Sequence, residues 1–178
     1  MRKFKSILAI IITILFLDHQ LFGGTAFGNL NVRIPKPLAF LMGGLIILHA
    51  IISLTVTWRA EKAGFKTNAR YNAENRQFWN RRVSGVLILL LIPFHAFMLR
   101  NGVAGLDTTL KLVLASLSAV LLSLSVFWHL IQNIKPLLIS LGFRPTDTKI
   151  LIIRIILALL CLYTSFSIVR SFIAGGAA

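Results

Sequence analysis

The chain has 178 residues, of which 57% are hydrophobic and only 13% charged, and its mean hydropathy is +0.83. These values exclude an ordinary water-soluble globular domain and point to an integral membrane protein. The formal net charge of +14 would suit nucleic acid, but the basic residues fall in loops and at segment ends rather than on one amphipathic face. Membrane topology accounts for that distribution, so no nucleic-acid partner is expected.

Met1-Arg2-Lys3-Phe4-Lys5 leads into an apolar run from Ile7 to Leu17 that continues through Asp18-His19 to Phe22. A basic start before a short apolar core also fits a cleaved signal peptide. A retained first helix is favoured, because the run reaches spanning length with Phe22 and four more hydrophobic segments follow. Residues 23–37 are turn-rich, and Pro35 and Pro37 open a second span from about Leu38 to Trp58, with His49 near its middle. Residues 59–82 form the longest polar segment, with seven basic residues and two acids, and read as a structured, partly helical loop at the membrane surface.

The third span, about 83–100, is introduced by Arg81-Arg82-Val83-Ser84-Gly85 and carries Pro93 just before His95. At ~100° per residue, Arg81, Ser84, Ile88, Leu91 and His95 share one helical stripe, a plausible wall for a cofactor slot. A short loop, 101–109, contains Asp107. The fourth span, about 110–133, is rich in serine and ends near His129; Ser118, Leu122, Ser125 and His129 share its stripe. Residues 135–149 are a second basic connection, and a fifth span without histidine runs from about 150 to 173. Cys161 lies inside that apolar run, has no intrachain disulfide partner, and reads as a small packing residue.

The expected architecture is therefore an all-α integral membrane protein, one domain over 1–178, with five transmembrane helices at about 6–22, 38–58, 83–100, 110–133 and 150–173. Thirteen of the nineteen basic residues lie at the amino terminus and in the 59–82 and 135–149 loops, against four in and beside the two opposite loops. That bias puts the amino terminus in the cytoplasm and the carboxyl terminus outside.

All four histidines lie within spans or at their ends, one on each of four successive helices. An ionisable side chain in a span usually faces the bundle interior and a partner. A single such histidine reads as a packing residue, but one on each of four helices is how a bundle supplies bis-imidazole ligands to haem iron. Depth pairs them. His19 and His95 both come near the outer ends of their helices, while His129 near an inner end goes with His49 closer to the midplane, with a mismatch of about one turn, ~5 Å. The expectation is two stacked haems in a four-helix bundle. Ser84 and Gly85 would let a macrocycle approach the third helix. Arg59, Arg81, Arg82 and Lys135 at the inner end, and Arg33 and Arg100 at the outer, are candidate propionate partners, with Arg82 foremost.

Arg82-Val83-Ser84-Gly85 followed by His95 resembles the arginine, any residue, serine or threonine, glycine motif and downstream haem histidine of the diheme cytochrome b subunits of succinate dehydrogenase and fumarate reductase. Asp18-His19, Leu48-His49-Ala50 and the stretch Trp128-His129 to Asn133 through Leu138 to Gly142 resemble that family's other ligand segments, in order, over residues 1 to about 145. The resemblance implies two haem b groups, first ligand with third and second with fourth. It also implies a place in the bacterial cytoplasmic membrane, passing electrons between quinone, with menaquinone expected, and a cytoplasmic iron-sulfur subunit that is joined to a flavoprotein. Asp18, Arg33 and Arg100 are the quinone candidates. Some fumarate reductases of the family carry a glutamate two residues before the fourth ligand for returning protons; here that position is Phe127. The alternatives are a diheme cytochrome b serving a different flavoprotein dehydrogenase, a membrane di-iron enzyme and a proton-relay transporter. The last two lack support in the sequence, because no two histidines are closer than thirty residues and the spans contain no paired acids.

Overall fold

The computed structural model describes residues 2–22, 36–66, 76–100 and 107–176, and among these every regular element is an α-helix. The helices are α1 (Arg2–Phe22), α2 (Lys36–Lys66), α3 (Arg76–Arg100), α4 (Thr108–Ser140) and α5 (Asp147–Gly176). Each of α2 to α5 is long and apolar enough to cross a membrane. The fold is that of a multi-pass helical membrane protein.

The distribution of polarity carries the same conclusion. Large apolar side chains cover the outside, among them Phe40, Ile51, Leu90, Ile156, Leu162 and Phe166. Ser84, Ser118, Ser123, Ser125, Thr164 and Ser167 are buried inside. In water such a surface would aggregate; in lipid it is the expected arrangement, since close helix packing favours small residues and apolar contact with lipid costs nothing.

The helices pack α1 along α2, α3 along α4, and α4 along α5, with a smaller contact joining α1 to α4. At the centre, Phe16 meets Phe127 edge-to-face with ring centroids 5.6 Å apart, and Cys161 of α5 completes the buried cluster with Leu17, Met42 and Leu130 against it. Cys161 is thus a packing residue, free and buried.

The ends of the helices gather at one basic end of the bundle. Ser6 of α1 hydrogen-bonds Ser140 of α4, Arg82 of α3 donates to Thr57 of α2 at 3.0 Å, and Lys135 of α4 pairs with Asp147 of α5 at 2.8 Å. Consecutive helices therefore run antiparallel, as the hydropathy pattern requires.

The helices outrun the expected spans. The 59–82 segment is helical up to Lys66 and again from Arg76, and α4 passes through Pro136 to Ser140 instead of ending near Asn133. Proline removes only one backbone donor, and Leu137, Leu138 and Ile139 continue the apolar sequence beyond it. The helix ends in a Schellman cap, in which Gly142 N donates to Ile139 O and Phe143 N to Leu138 O, both at 3.0 Å, with Gly142 at φ 95°. At its start Asp107 accepts from Thr109 N at 3.0 Å. Those backbone donors hold the Asp107 carboxyl below the usual carboxylate range.

Candidate functional site

The α3 stripe turns inward. Ser84 is fully buried and Ile88 nearly so, while Arg81, Leu91 and His95 are half-buried. It faces the serine stripe of α4, where Ser118 is fully buried and Ser125 buried. The two stripes are joined by two hydrogen bonds, one near each end. Ser84 Oγ lies 2.9 Å from His129 Nδ1, and Ser118 Oγ lies 3.4 Å from His95 Nδ1.

The direction of these bonds follows from counting protons. Each serine has one hydroxyl hydrogen, which Ser84 gives to Arg81 O at 3.2 Å and Ser118 to Ala115 O at 2.7 Å. Both hydroxyls must then accept from the imidazoles, so Nδ1 of His129 and of His95 carries the proton. In the neutral ring Nε2 is then the bare lone pair, the form in which imidazole ligates iron.

The other two histidines approach from α1 and α2. His95 lies within electrostatic reach of His19, and His129 within that of His49. The electrostatic neighbours thus match α1 with α3 and α2 with α4. Nδ1 of His19 and Nδ1 of His49 are buried and meet no partner among the described residues. Buried polar atoms are rarely left so, and each marks a place for a partner outside the described residues.

Gly85 lies directly against His129: a Cβ there would come 3.5 Å from His129 Cε1. The ring therefore rests on the α3 backbone, and any side chain larger than alanine would push it aside.

Cations crowd the His49–His129 couple. Lys5 lies within electrostatic reach of both imidazoles and of Arg81 and Arg82, and all three cations are half-buried. One carboxylate, Glu61, stands within reach of Arg82. Arg82 donates to Phe78 O and to Thr57 Oγ1, each at 3.0 Å, with its guanidinium 3.2 Å above the Phe78 ring centroid and Nε without a partner. Arg82 thus ties α3 to α2 and still presents an unmet donor. Arg59 is exposed, and Lys135 is engaged with Asp147.

Lys5 is the residue that sequence reasoning missed. In the sequence it reads as one of the amino-terminal topology charges, and only the packing of α1 between α2 and α4 brings it near the imidazoles. Of the quinone candidates, Asp18 is half-buried beside His19 and Arg100 closes α3, while Arg33 falls outside the described residues.

Haem suits this set of side chains: a histidine on each of four helices, two of them with Nδ1 at a serine hydroxyl, and an excess of cations for carboxylates at one end. A di-iron site needs clustered carboxylates, and among the described residues no three His, Cys, Asp or Glu side chains converge. No protein-family model, characterised protein or solved structure matches the chain, so any functional reading rests on its own residues.

Proposed function

We propose that the chain is a haem b-containing membrane anchor of a succinate:quinone oxidoreductase, with five spans, α1 included, and electrons passing between an iron-sulfur subunit and membrane quinone. What supports this reading is the electrostatic proximity of His19 to His95 and of His49 to His129, with a serine of α3 and one of α4 at Nδ1 of His129 and His95. The choice of succinate and fumarate as the reaction served comes from the sequence resemblance alone.

Haem iron, when bound, supplies one-electron transfer in a bundle that otherwise has no redox group. The chain's own share is to hold His95 and His129 in the ligating tautomer, to offset carboxylate charge with Lys5, Arg81 and Arg82, and to fill the centre with Phe16 and Phe127. Asp18, alone among the acids in lying within a span, is the candidate proton partner for a quinone near the outer couple. The cytoplasmic face is assigned to the basic end, where the iron-sulfur and flavoprotein subunits would dock.

The test is a reduced-minus-oxidised optical spectrum of the purified chain with haem quantified per polypeptide. Two b-type haems are expected in the wild type and one, the inner, in His95→Ala. A well-folded purified protein without haem absorbance would end this reading.

A further inference from the structure

The beginning of α5 carries an unbalanced charge. Arg154 lies about two turns inside this apolar helix and is half-buried. Its Nε donates to the Ile131 carbonyl of α4 at 3.3 Å. Its two terminal nitrogens have no hydrogen-bond partner among the described residues, and no carboxylate there comes within ion-pairing distance. Asp147, the acid in electrostatic reach, is taken by Lys135 at 2.8 Å. A cation within a span is costly without a partner, so an unanswered arginine marks a site.

Arg154 lines an open cleft of about 330 Å³ between the start of α3, the end of α4 and the start of α5. Gln77 and Gln132 line it too, and neither carboxamide forms a hydrogen bond among the described residues. With Lys135 and Asp147 also in the wall, the cleft has a net charge of one positive unit and several unused donors. Leu151 flanks it, and exposed Ile155 continues the same apolar surface one turn along α5. The occupant should therefore be a monoanion with several acceptor oxygens, attached to apolar chains that lie along α5.

We propose that this cleft binds the phosphodiester headgroup of an anionic phospholipid, with the Arg154 guanidinium as its counter-charge and the Gln77 and Gln132 carboxamides as neutral donors. The guanidinium fork suits two phosphate oxygens at once, which a surface lysine cannot match. A basic pocket between helix ends at the cytoplasmic face is also where such headgroups are found. A quinone fits less well, since its neutral carbonyls leave Arg154 uncompensated. The proposal does not depend on haem.

The experiment is native mass spectrometry of the full chain released from bilayers of defined composition, with lipid occupancy read at equal lipid concentration. One phosphatidylglycerol per chain should remain bound, with phosphatidylcholine held about fivefold less tightly because it adds a cation. Arg154→Gln should weaken phosphatidylglycerol binding on the order of tenfold or more. Lys149→Gln, exposed and outside the cleft, should leave it unchanged. Equal losses in the two variants would show a diffuse surface charge and overturn the site. Displacement of the lipid by millimolar inorganic phosphate would assign the cleft to free phosphate, and retention of menaquinone in place of lipid would assign it to quinone; either overturns the proposal. Should Arg154→Gln fail to fold, Gln132→Leu keeps every charge and is expected to weaken binding several-fold; unchanged binding in that variant would equally overturn it.

Discussion

Ser84 shows how much a single hydroxyl decides. Its proton goes to the Arg81 carbonyl and its lone pair receives His129 Nδ1–H, so one buried side chain both anchors to α3 and orients a ring on α4. Ser84→Ala leaves that imidazole N–H without an acceptor in a fully buried position, at a cost of roughly 1–3 kcal/mol. We expect a lower unfolding temperature in detergent and, where haem is bound, a shift in the midpoint potential of one of the two haems, with Ser84→Thr restoring both. A potentiometric titration in which neither potential moves, together with unchanged stability, would remove Ser84 from this role. The serine stripes were legible in the sequence as helical spacing. Their hydrogen-bond partners were not, because a hydroxyl on a stripe is free to turn to its own helix or to the next, and only the rotation of the two helices selects.

At the scale of elements, α4 is the helix on which the others depend, since it packs along α3 and α5 and touches α1. Its two ends are made differently. Asp107 caps the start through Thr109 N, an interaction present when the carboxylate is ionised and lost as pH falls through its depressed folded value. The other end relies on Gly142 at φ 95°, a conformation that a side chain resists. Gly142→Ala should therefore destabilise the α4–α5 turn by roughly 1–2 kcal/mol, although nothing lies within 4 Å of the added methyl group. Thermal unfolding of the variant measures this; no loss would mean that the turn relaxes into another geometry. Sequence punctuation misled at this end. Pro136 reads as a stop, yet the helix continues to Ser140, where its hydrogen bond with Ser6 fastens α1. The local signals for the continuation are the apolar Leu137, Leu138 and Ile139 and the closing Gly142, which outweigh the proline.

At the scale of the whole molecule, an aromatic pair fills the centre of the bundle. Phe127 is the most buried large side chain among the described residues, 1% exposed, and it meets Phe16 edge-to-face. Phenylalanine cannot relay protons, and no carboxylate takes its place in this cluster. Under the proposed function, with quinone reacting near Asp18 at the outer end, electrons would cross the membrane without compensating protons. Turnover of the assembled complex in sealed proteoliposomes should then build a membrane potential that a potential-sensitive dye reports. Turnover without a potential would put the quinone site on the inner side or require another proton path.

Helices and their apolar character were determined by the sequence alone, because in lipid a long apolar run satisfies its backbone only through its own i to i+4 hydrogen bonds. The same local geometry allowed one histidine per helix and the serine stripes to be read directly. Tertiary structure decided the rest. Which nitrogen of His129 and His95 carries the proton, how Arg82 divides its donors between Phe78 and Thr57, the turning of Lys5 toward the inner couple, and the isolation of Arg154 at its cleft all depend on the rotation and axial offset of neighbouring helices. Those offsets are set by side-chain packing between segments distant in the chain, such as Phe16 against Phe127 and Ser6 against Ser140, and hydropathy carries no record of them.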